Sequence, residues 1–332
     1  MSATATAATP PAEAAPPVRV ETLSRRFGSV QAVDGVSFEV RQGEMFGLIG
    51  PDGAGKTTTL RTILGLLRPD AGAVRTCGLD PVHDRRRLSH LVGYLSQRFS
   101  LYGDLTVDEN IAFFAEIHDL AGYRDRRDAL LEMVRMTPFR DRLADRLSGG
   151  MKQKLALVCT LVHTPRLLVL DEPTTGVDPV SRRDFWKLLG RLQREGLTIL
   201  LTTPYLDEAE RCTRVALIDH GRLLTVDAPD ALRAAEPGVM VELVAEPRRE
   251  AVLALRAAAG VADVEVFGER LHAMLPAAPA DRARAEAERL AESLRSAGLR
   301  VQSARASLPS LEDVFIGRIR SRQGQGEVEV NP

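Results

Sequence analysis

The sequence predicts an α/β protein with a mostly parallel sheet, followed by a smaller α+β domain. A short apolar run at Met45–Ile49, typical of a strand buried on both faces, leads directly into a glycine-rich loop and a helix over 57–67. Strand, loop and helix in this order begin a parallel α/β unit. After residue 236 the order becomes strand, helix, two strands, helix and strand, which predicts a ferredoxin-like βαββαβ domain.

The other elements follow from short apolar runs between turns and from helical periodicity. In the first part of the chain, strands are predicted over 18–23, 36–40, 167–170, 198–201 and 215–218, with helices over 107–118, 126–136, 181–194 and from residue 151. A capping box, Thr106 to Glu109, opens the helix over 107–118. In the second part, strands are predicted over 239–244, 261–266, 270–274 and 300–304, with helices over 248–259 and 281–297.

These patterns divide the chain into four regions. Residues 1–17, rich in Ala, Thr and Pro, predict a disordered leader without the features of a signal peptide. The main α/β domain spans 18–235, with a helical subdomain at about 98–165. The ferredoxin-like domain spans 236–318, and the polar segment 319–332 predicts a disordered tail.

Composition and charge narrow the classes of function. The chain has 332 residues and a formal net charge of −1, which gives no general attraction to nucleic acid, so no nucleic-acid partner is expected. No apolar run approaches the roughly 18–20 residues of a membrane-spanning helix. The cysteines Cys77, Cys159 and Cys212 are far apart, which argues against a disulfide framework or a zinc site and favours a reducing compartment.

A phosphate-binding loop is the most specific motif. The segment fits G-x-x-x-x-G-K-[ST] and consists of Gly50, Pro51, Asp52, Gly53, Ala54, Gly55, Lys56 and Thr57, with Thr58 following on the helix. Glycines let backbone N–H groups turn inward around phosphate oxygens, and the helix adds its positive end. Lys56 can reach the β- and γ-phosphates, and the Thr57 hydroxyl can ligate Mg²⁺.

Two carboxylates follow the predicted strand over 167–170. Ligands of open α/β sheets bind at the carboxyl ends of strands, where Asp171 and Glu172 lie. Asp171 can hold Mg²⁺ through its water shell, and Glu172 can act as the base that orients the attacking water.

A second glycine turn opens the helix that precedes this strand. The segment 147–153 contains Ser148, Gly149, Gly150 and Gln153. Ser148 can cap the helix, and the free N–H groups form another anion site; an ordinary helix cap is the alternative.

With these motifs, residues 18–230 resemble the ATP-binding-cassette (ABC) ATPase family, a branch of the P-loop NTPases. The resemblance implies that residues 50–57 are the Walker A loop, Asp171 and Glu172 the Walker B aspartate and catalytic glutamate, and residues 147–153 the family signature. It further implies that Gln97 is the Q-loop residue linking Mg²⁺ or water to a membrane partner. Phe27 would stack on adenine, and Asp178 would belong to the D-loop.

The resemblance also implies partners. Two cassettes of the family dimerise head to tail, so that the signature of one covers ATP on the Walker A loop of the other. The apolar segment 97–105 would contact a membrane-spanning permease subunit on the cytoplasmic face of the membrane. Together with 205–210 and 308–315, it resembles cassettes of ABC-2-type exporters of drugs, antibiotics or similar cargo.

One position departs from the family pattern. Pro204 stands where the family places a histidine that contacts the γ-phosphate, and proline offers no donor. Thr203 is predicted to cap a helix whose first position is Pro204. A hydrolysing exporter subunit, a weakly hydrolysing nucleotide sensor, and a cassette ATPase acting on ribosomes or DNA therefore remain as hypotheses.

Overall fold

The computed structural model describes residues 15–97 and 101–326, which form two compact units. The first contains the described residues up to Tyr205 together with Cys212–Val226, and the second contains Leu206–Arg211 and the described residues from Asp227 onward. Most of the predicted leader and the last six residues lie outside the described ranges.

Two sheets form the first unit. Its strands are β1 (Val18–Phe27), β2 (Val30–Val40), β3 (Met45–Ile49), β4 (Ala71–Thr76), β5 (Val92–Leu95), β6 (Leu167–Asp171), β7 (Thr198–Thr203), β8 (Arg214–Asp219) and β9 (Arg222–Asp227). An antiparallel sheet has the order β2-β1-β4, and a larger sheet has the order β5-β6-β7-β3-β8-β9. From β5 to β8 each neighbouring pair of the larger sheet is parallel, and β3 and β6 are completely buried.

The helices of this unit are α1 (Lys56–Ile63), α2 (Arg85–Ser89), α3 (Val107–Ile117), α4 (Arg124–Met133), α5 (Gly149–Leu161) and α6 (Pro179–Arg194). The predicted capping box is present at α3, where Thr106 and Glu109 satisfy each other's backbone N–H groups. Among the helices in the described ranges, none is long and apolar enough to cross a membrane.

Several element bounds differ from the sequence predictions. Helix α1 ends at Ile63 instead of residue 67, because the chain turns at Gly65, whose N–H donates to the Thr62 carbonyl. Helix α4 ends at Met133, before Arg135 adopts a left-handed backbone with φ 59°. Strands β4 and β5 were not predicted, since each is short and β4 presents mostly exposed side chains.

The second unit has the predicted βαββαβ order. Its strands are β10 (Val239–Glu246), β11 (Asp263–Phe267), β12 (Arg270–Leu275) and β13 (Arg300–Ser307), and its helices are α7 (Leu206–Ala209), α8 (Pro229–Ala234), α9 (Arg248–Ala257), α10 (Ala283–Ser296) and α11 (Leu311–Gly326). The sheet order β11-β12-β10-β13, antiparallel throughout, is that of a ferredoxin-like fold. The predicted fold class is therefore confirmed for both parts of the chain.

The prediction of a disordered tail over residues 319–332 is wrong for the described residues 319–326. Helix α11 continues through residue 319 to Gly326. Two arginines explain this order, because Arg318 pairs with Glu236 at 3.0 Å and Arg320 pairs with Asp263 and Glu265 of β11. The polar composition of this segment predicts disorder, but its charges have partners elsewhere in the unit.

A histidine stack makes the stability of the first unit sensitive to acid. The rings of His118 and His163 are stacked with centroids 3.9 Å apart. Burial and the neighbouring His118 lower the pKa of His163 to about 4, from an ordinary value of 6.5. The folded state therefore favours the neutral imidazole of His163. The folding free energy that this preference contributes is fully present above pH 6.5 and is lost as the pH falls towards 4.

We expect His163→Phe, which keeps an aromatic ring in the stack, to flatten the pH dependence of the unfolding free energy between pH 6.5 and 4. Since the His163 ring is partly exposed to solvent, the expected difference in unfolding free energy between wild type and His163→Phe is about 1–2 kcal/mol at the acidic end of this range. Denaturant titrations at a series of pH values measure it. Identical slopes in wild type and variant would contradict the assignment of this acid sensitivity to His163.

Candidate functional site

The site lies where parallel strands β3, β6 and β7 end side by side. In the sheet register Asp171 of β6 is opposite Thr202 of β7, and Thr203 is opposite Ile49 of β3. The phosphate-loop sequence follows Ile49 directly, and the N–H of Gly50 points to the Thr203 carbonyl at 3.5 Å. Strand order thus brings together segments that are far apart in the sequence.

The loop after β3 approaches neighbouring backbone too closely for side chains. A Cβ at Gly50 would lie 2.1 Å from the Ile218 carbonyl oxygen, and one at Gly55 would lie 2.3 Å from that of Ala32. Gly55 also has a left-handed backbone with φ 99° immediately before α1. The loop residues Pro51, Asp52 and Gly53 are exposed, Ala54 is buried, and Thr57 and Thr58 are partly buried at the start of α1.

Lys56 is a buried cation at the centre of the loop, with only 4% of its surface exposed. Its Nζ donates hydrogen bonds to the carbonyls of Gly50 at 2.8 Å and Pro51 at 3.0 Å. The same Nζ lies 3.2 Å from Oε1 of Glu172. The ammonium group therefore links the loop to the carboxylate that follows β6.

Asp171 is held by two hydroxyl groups. Its Oδ1 accepts hydrogen bonds from Thr57 at 3.0 Å and from Thr202 at 2.7 Å. Tyr94 lies close to this carboxylate. Burial is the main cause that raises the pKa of the Tyr94 phenol, and the negative charge of Asp171 is the second cause. A hard carboxylate oxygen and a hydroxyl at the start of α1 are oxygen ligands of the kind that Mg²⁺ prefers.

Glu172 is positioned by three side chains. Besides Lys56, the Gln97 amide donates to Oε2 at 2.9 Å, and the Thr175 hydroxyl does so at 3.4 Å. The backbone of Glu172 is left-handed, with φ 47°, which is unusual for a residue with a side chain. Its carboxylate is thus oriented next to the loop while most of its surface is buried.

The second glycine turn lies against the start of α6. Ser148 caps α5 by accepting from the N–H of Met151, and a Cβ at Gly150 would lie 2.2 Å from the Ser181 hydroxyl, whereas Gly149 faces open space. Asp178 caps α6, and hydrogen bonds from the N–H and side chain of Ser181 lower the pKa of its carboxyl.

The remaining predicted residues are Phe27 and Gln153. Phe27 ends β1 and is 45% exposed, with the Arg25 guanidinium carbon 4.9 Å from its ring centroid. Its hairpin reaches the loop, because Ala32 of β2 lies against Gly55. Gln153 is fully buried, and its amide donates to the carbonyl of Pro173, next to Glu172.

The predicted residues therefore fall into two groups. Lys56, Thr57, Gln97, Asp171 and Glu172 converge at the sheet edge. Ser148, Gly149, Gly150 and Asp178 form the other group. Within the described ranges, no hydrogen bond or ion pair joins the 148–150 turn to the 50–57 loop. Sequence reasoning missed Thr202, Thr175 and Tyr94; the end of a parallel strand was the signal that could have found Thr202.

The prediction for the segment after β7 is partly wrong. Thr203 remains in the strand, and its hydroxyl accepts from the N–H of Tyr205 at 3.0 Å. Pro204 precedes the short helix Leu206–Ala209 and does not occupy its first position. The helix starts later because the sheet register with β3 continues to Thr203.

The strand–loop–helix unit, the buried lysine and the paired carboxylates define a P-loop nucleoside triphosphatase. Residues 33–175 match the family model described as "ABC transporter". The chain is 37% identical over 302 residues to "Daunorubicin resistance ATP-binding protein DrrA2" of Streptomyces coeruleorubidus, covering 90% of this chain and 94% of that one. It therefore belongs to the ABC transporter family of ATP-binding proteins.

Two further comparisons agree with this placement. The chain is 45% identical over 219 residues to "Probable multidrug ABC transporter ATP-binding protein YbhF" of Escherichia coli, covering 65% of this chain but only 38% of that relative's length. The structure of cbiO1 from Clostridium perfringens, part of the ABC transporter complex cbiONQ, superposes with a TM-score of 0.62 and 27% identity over 66% of this chain and 91% of that chain.

Proposed function

We propose that this chain hydrolyses ATP with Mg²⁺ to power an ABC-2-type exporter, as a head-to-tail dimer bound to membrane-spanning permease subunits. The observation that carries the proposal is the convergence of Lys56, Thr57, Asp171 and Glu172 at one sheet edge. The decisive measurement is Mg²⁺-dependent phosphate release by the purified chain beside its Glu172→Gln variant.

The residues present fit ATP and Mg²⁺. Gly50 and Gly55 pack directly against the carbonyls of Ile218 and Ala32, where a Cβ would clash, and this allows the tight loop in which backbone N–H groups can surround phosphate oxygens. Thr57 and Asp171 would hold Mg²⁺ directly or through water, with Gln97 beside them. In the described part of the chain, no group of three or more His, Cys, Asp and Glu residues could hold a metal. A Mg²⁺ that is bound mostly by phosphate oxygens and water needs no such group.

The proposed chemistry divides roles among these side chains. Lys56 exchanges its carbonyl contacts for phosphate oxygens and neutralises charge as it develops there. Glu172, aimed by Gln97 and Thr175, accepts a hydrogen bond from the attacking water and orients it. When bound, Mg²⁺ supplies further charge neutralisation on the β- and γ-phosphates.

The dimer is inferred from the two groups of site residues. Ser148, Gly149 and Gly150 present a helix N-terminus with open space above Gly149. A helix N-terminus attracts anions through its free N–H groups and dipole. In the proposed dimer this turn and Asp178 of one copy face ATP on the phosphate loop of the other, while Phe27 stacks on adenine.

The permease is proposed to dock at the segment 97–105, of which residues 98–100 lie outside the described ranges. Tyr102 is 46% exposed and lies edge-on to Phe113 at 4.6 Å. The buried Asn110 amide donates to carbonyls of Tyr102, Leu105 and Thr106, which fixes this segment to α3. An apolar side chain held rigidly at the surface suits a partner helix, and the site would place the chain at the cytoplasmic face of the membrane.

Export as the direction of transport rests on the relatives. The names of DrrA2 and YbhF refer to daunorubicin resistance and to a multidrug transporter. We therefore propose a drug, an antibiotic or another small hydrophobic molecule as cargo.

Pro204 favours a second candidate function, a nucleotide sensor that hydrolyses ATP slowly. The hydroxyl of Thr203 already accepts from Tyr205, and the Tyr205 ring lies 4.4 Å below the Arg182 guanidinium. Since Pro204 itself offers no donor, a γ-phosphate contact is missing at this position.

We expect Pro204→His to raise the ATP turnover rate at least tenfold, because one well-placed transition-state donor is worth roughly 10²–10³. The matched control is Pro204→Ala, which removes the proline ring without adding a donor. Steady-state phosphate release at saturating MgATP measures both variants. If Pro204→His is no faster than Pro204→Ala, the missing contact does not limit turnover and the sensor hypothesis loses its main support.

A further inference from the structure

Thr202 connects the two carboxylate residues of the site through a single hydroxyl group. It lies near the end of β7, completely buried, and is the register partner of Asp171. Its Oγ1 donates to Oδ1 of Asp171 at 2.7 Å and accepts from the backbone N–H of Glu172 at 3.0 Å.

The contact to Glu172 matters because that residue has an unfavourable backbone. A left-handed conformation costs a residue with a side chain about 1–2 kcal/mol unless its surroundings enforce it. The N–H of Glu172 points at both Oγ1 and the carbonyl oxygen of Thr202, at 3.0 and 3.2 Å. Thr202 thus helps to fix the backbone from which the Glu172 carboxylate reaches Lys56 and Gln97.

The contact to Asp171 fixes the other carboxylate. With Thr57 and Thr202 both donating to Oδ1, the plane and the accessible oxygen of Asp171 are set by the protein. Some groups do not bind a metal themselves but hydrogen-bond to one of its ligands. Removal of such a group typically lowers metal affinity or activity 10- to 100-fold.

We propose that Thr202 is a positioning residue that holds the Mg²⁺-binding carboxylate and the general-base residue in one fixed arrangement. The inference deepens the proposed function and rests on its assignment of Asp171 and Glu172. Valine has the same shape but can neither donate nor accept, whereas serine can do both, so the two substitutions separate the hydroxyl from its packing.

The test compares Thr202→Val, Thr202→Ser and Thr198→Val in the full chain. Thr198 is a matched control, because it is equally buried at the opposite end of β7 and its hydroxyl likewise accepts a backbone hydrogen bond, from Gly43 at 3.0 Å. For Thr202→Val we expect kcat to fall roughly 10- to 100-fold and the Mg²⁺ concentration for half-maximal rate to rise about tenfold. Thr202→Ser should stay within about threefold of wild type, and Thr198→Val should lose stability without either change.

Wild-type kcat and Mg²⁺ dependence in Thr202→Val would overturn the proposal, as would an equal loss in Thr202→Ser or Thr198→Val. A binding measurement separates it from the proposed function. The gain in ATP affinity on replacing EDTA by Mg²⁺ should be about tenfold smaller in Thr202→Val than in wild type. If wild type and Glu172→Gln show equal, near-zero turnover, the proposed function fails. Even then, a gain in ATP affinity with Mg²⁺ that is as large in Thr202→Val as in wild type would overturn the positioning role of Thr202.

Discussion

ATP turnover is expected to fall roughly 10²- to 10⁴-fold when Glu172 is replaced by glutamine, the range for loss of a general base. Glutamine keeps the volume and can still contact Gln97 or Thr175, but it cannot accept a proton from water. ATP affinity should stay within a few-fold of wild type, because the phosphate loop and Lys56 remain. Phosphate release and equilibrium ATP binding measure the two quantities separately.

The control for Glu172→Gln is Glu44→Gln. Glu44 is a similarly buried glutamate, paired with Arg214 at 3.3 Å just before β3 begins, at the opposite end of that strand from the phosphate loop. Its substitution also removes a buried charge, and we expect lower stability with nearly unchanged turnover. Turnover within about threefold of wild type in Glu172→Gln would remove Glu172 from the role of base.

Loss of ATP binding is expected for Lys56→Met, by about 30- to 1,000-fold in Kd. The estimate corresponds to about 2–4 kcal/mol for removing one partner of a buried, charge-assisted contact. Isothermal titration calorimetry with MgATP measures it. Because Glu172 would lose its cation, stability should also fall, and the double variant Lys56→Met with Glu172→Gln should recover stability but not affinity.

The control for Lys56→Met is Lys187→Met, since the Lys187 side chain is 69% exposed and lies 3.6 Å from Asp184 on α6. Its ATP affinity should equal that of wild type. Wild-type affinity in Lys56→Met would show that the loop does not bind phosphate through this residue.

The same variant tests the head-to-tail dimer. Chains with Lys56→Met and chains with Ser148→Arg should each be inactive alone. When mixed, one site of each heterodimer combines an intact loop with an intact signature turn, so activity should reappear. No recovery on mixing, with heterodimers present, would contradict the composite site.

Motif spacing made the central part of the site predictable from sequence. The proposed phosphate loop is one continuous segment, residues 50–57, and Asp171 and Glu172 directly follow a continuous apolar strand. Because both features are local, their residue types and spacing indicate chemistry before any contact is known. The ferredoxin-like order was likewise readable from alternating strand and helix patterns.

Contacts between distant segments were not predictable in the same way. Thr202 looked like one more strand residue, since threonine is common in strands and nothing near it in sequence indicates Asp171 as its neighbour. The charges of α11 predict a disordered tail when the sequence is considered alone, because Glu236 and Asp263, which pair with them, lie far earlier in the chain.

The sequence alone determined the class of fold, the phosphate loop, the two carboxylates and the order of elements in the second unit, because each depends on neighbouring residues. Only the tertiary structure decided that β7 lies between β3 and β6, and that Glu172 adopts a left-handed backbone under the hydroxyl of Thr202. Strand order and register are set by packing across the whole sheet, so the alignment of Lys56, Asp171 and Glu172 is a property of the folded chain.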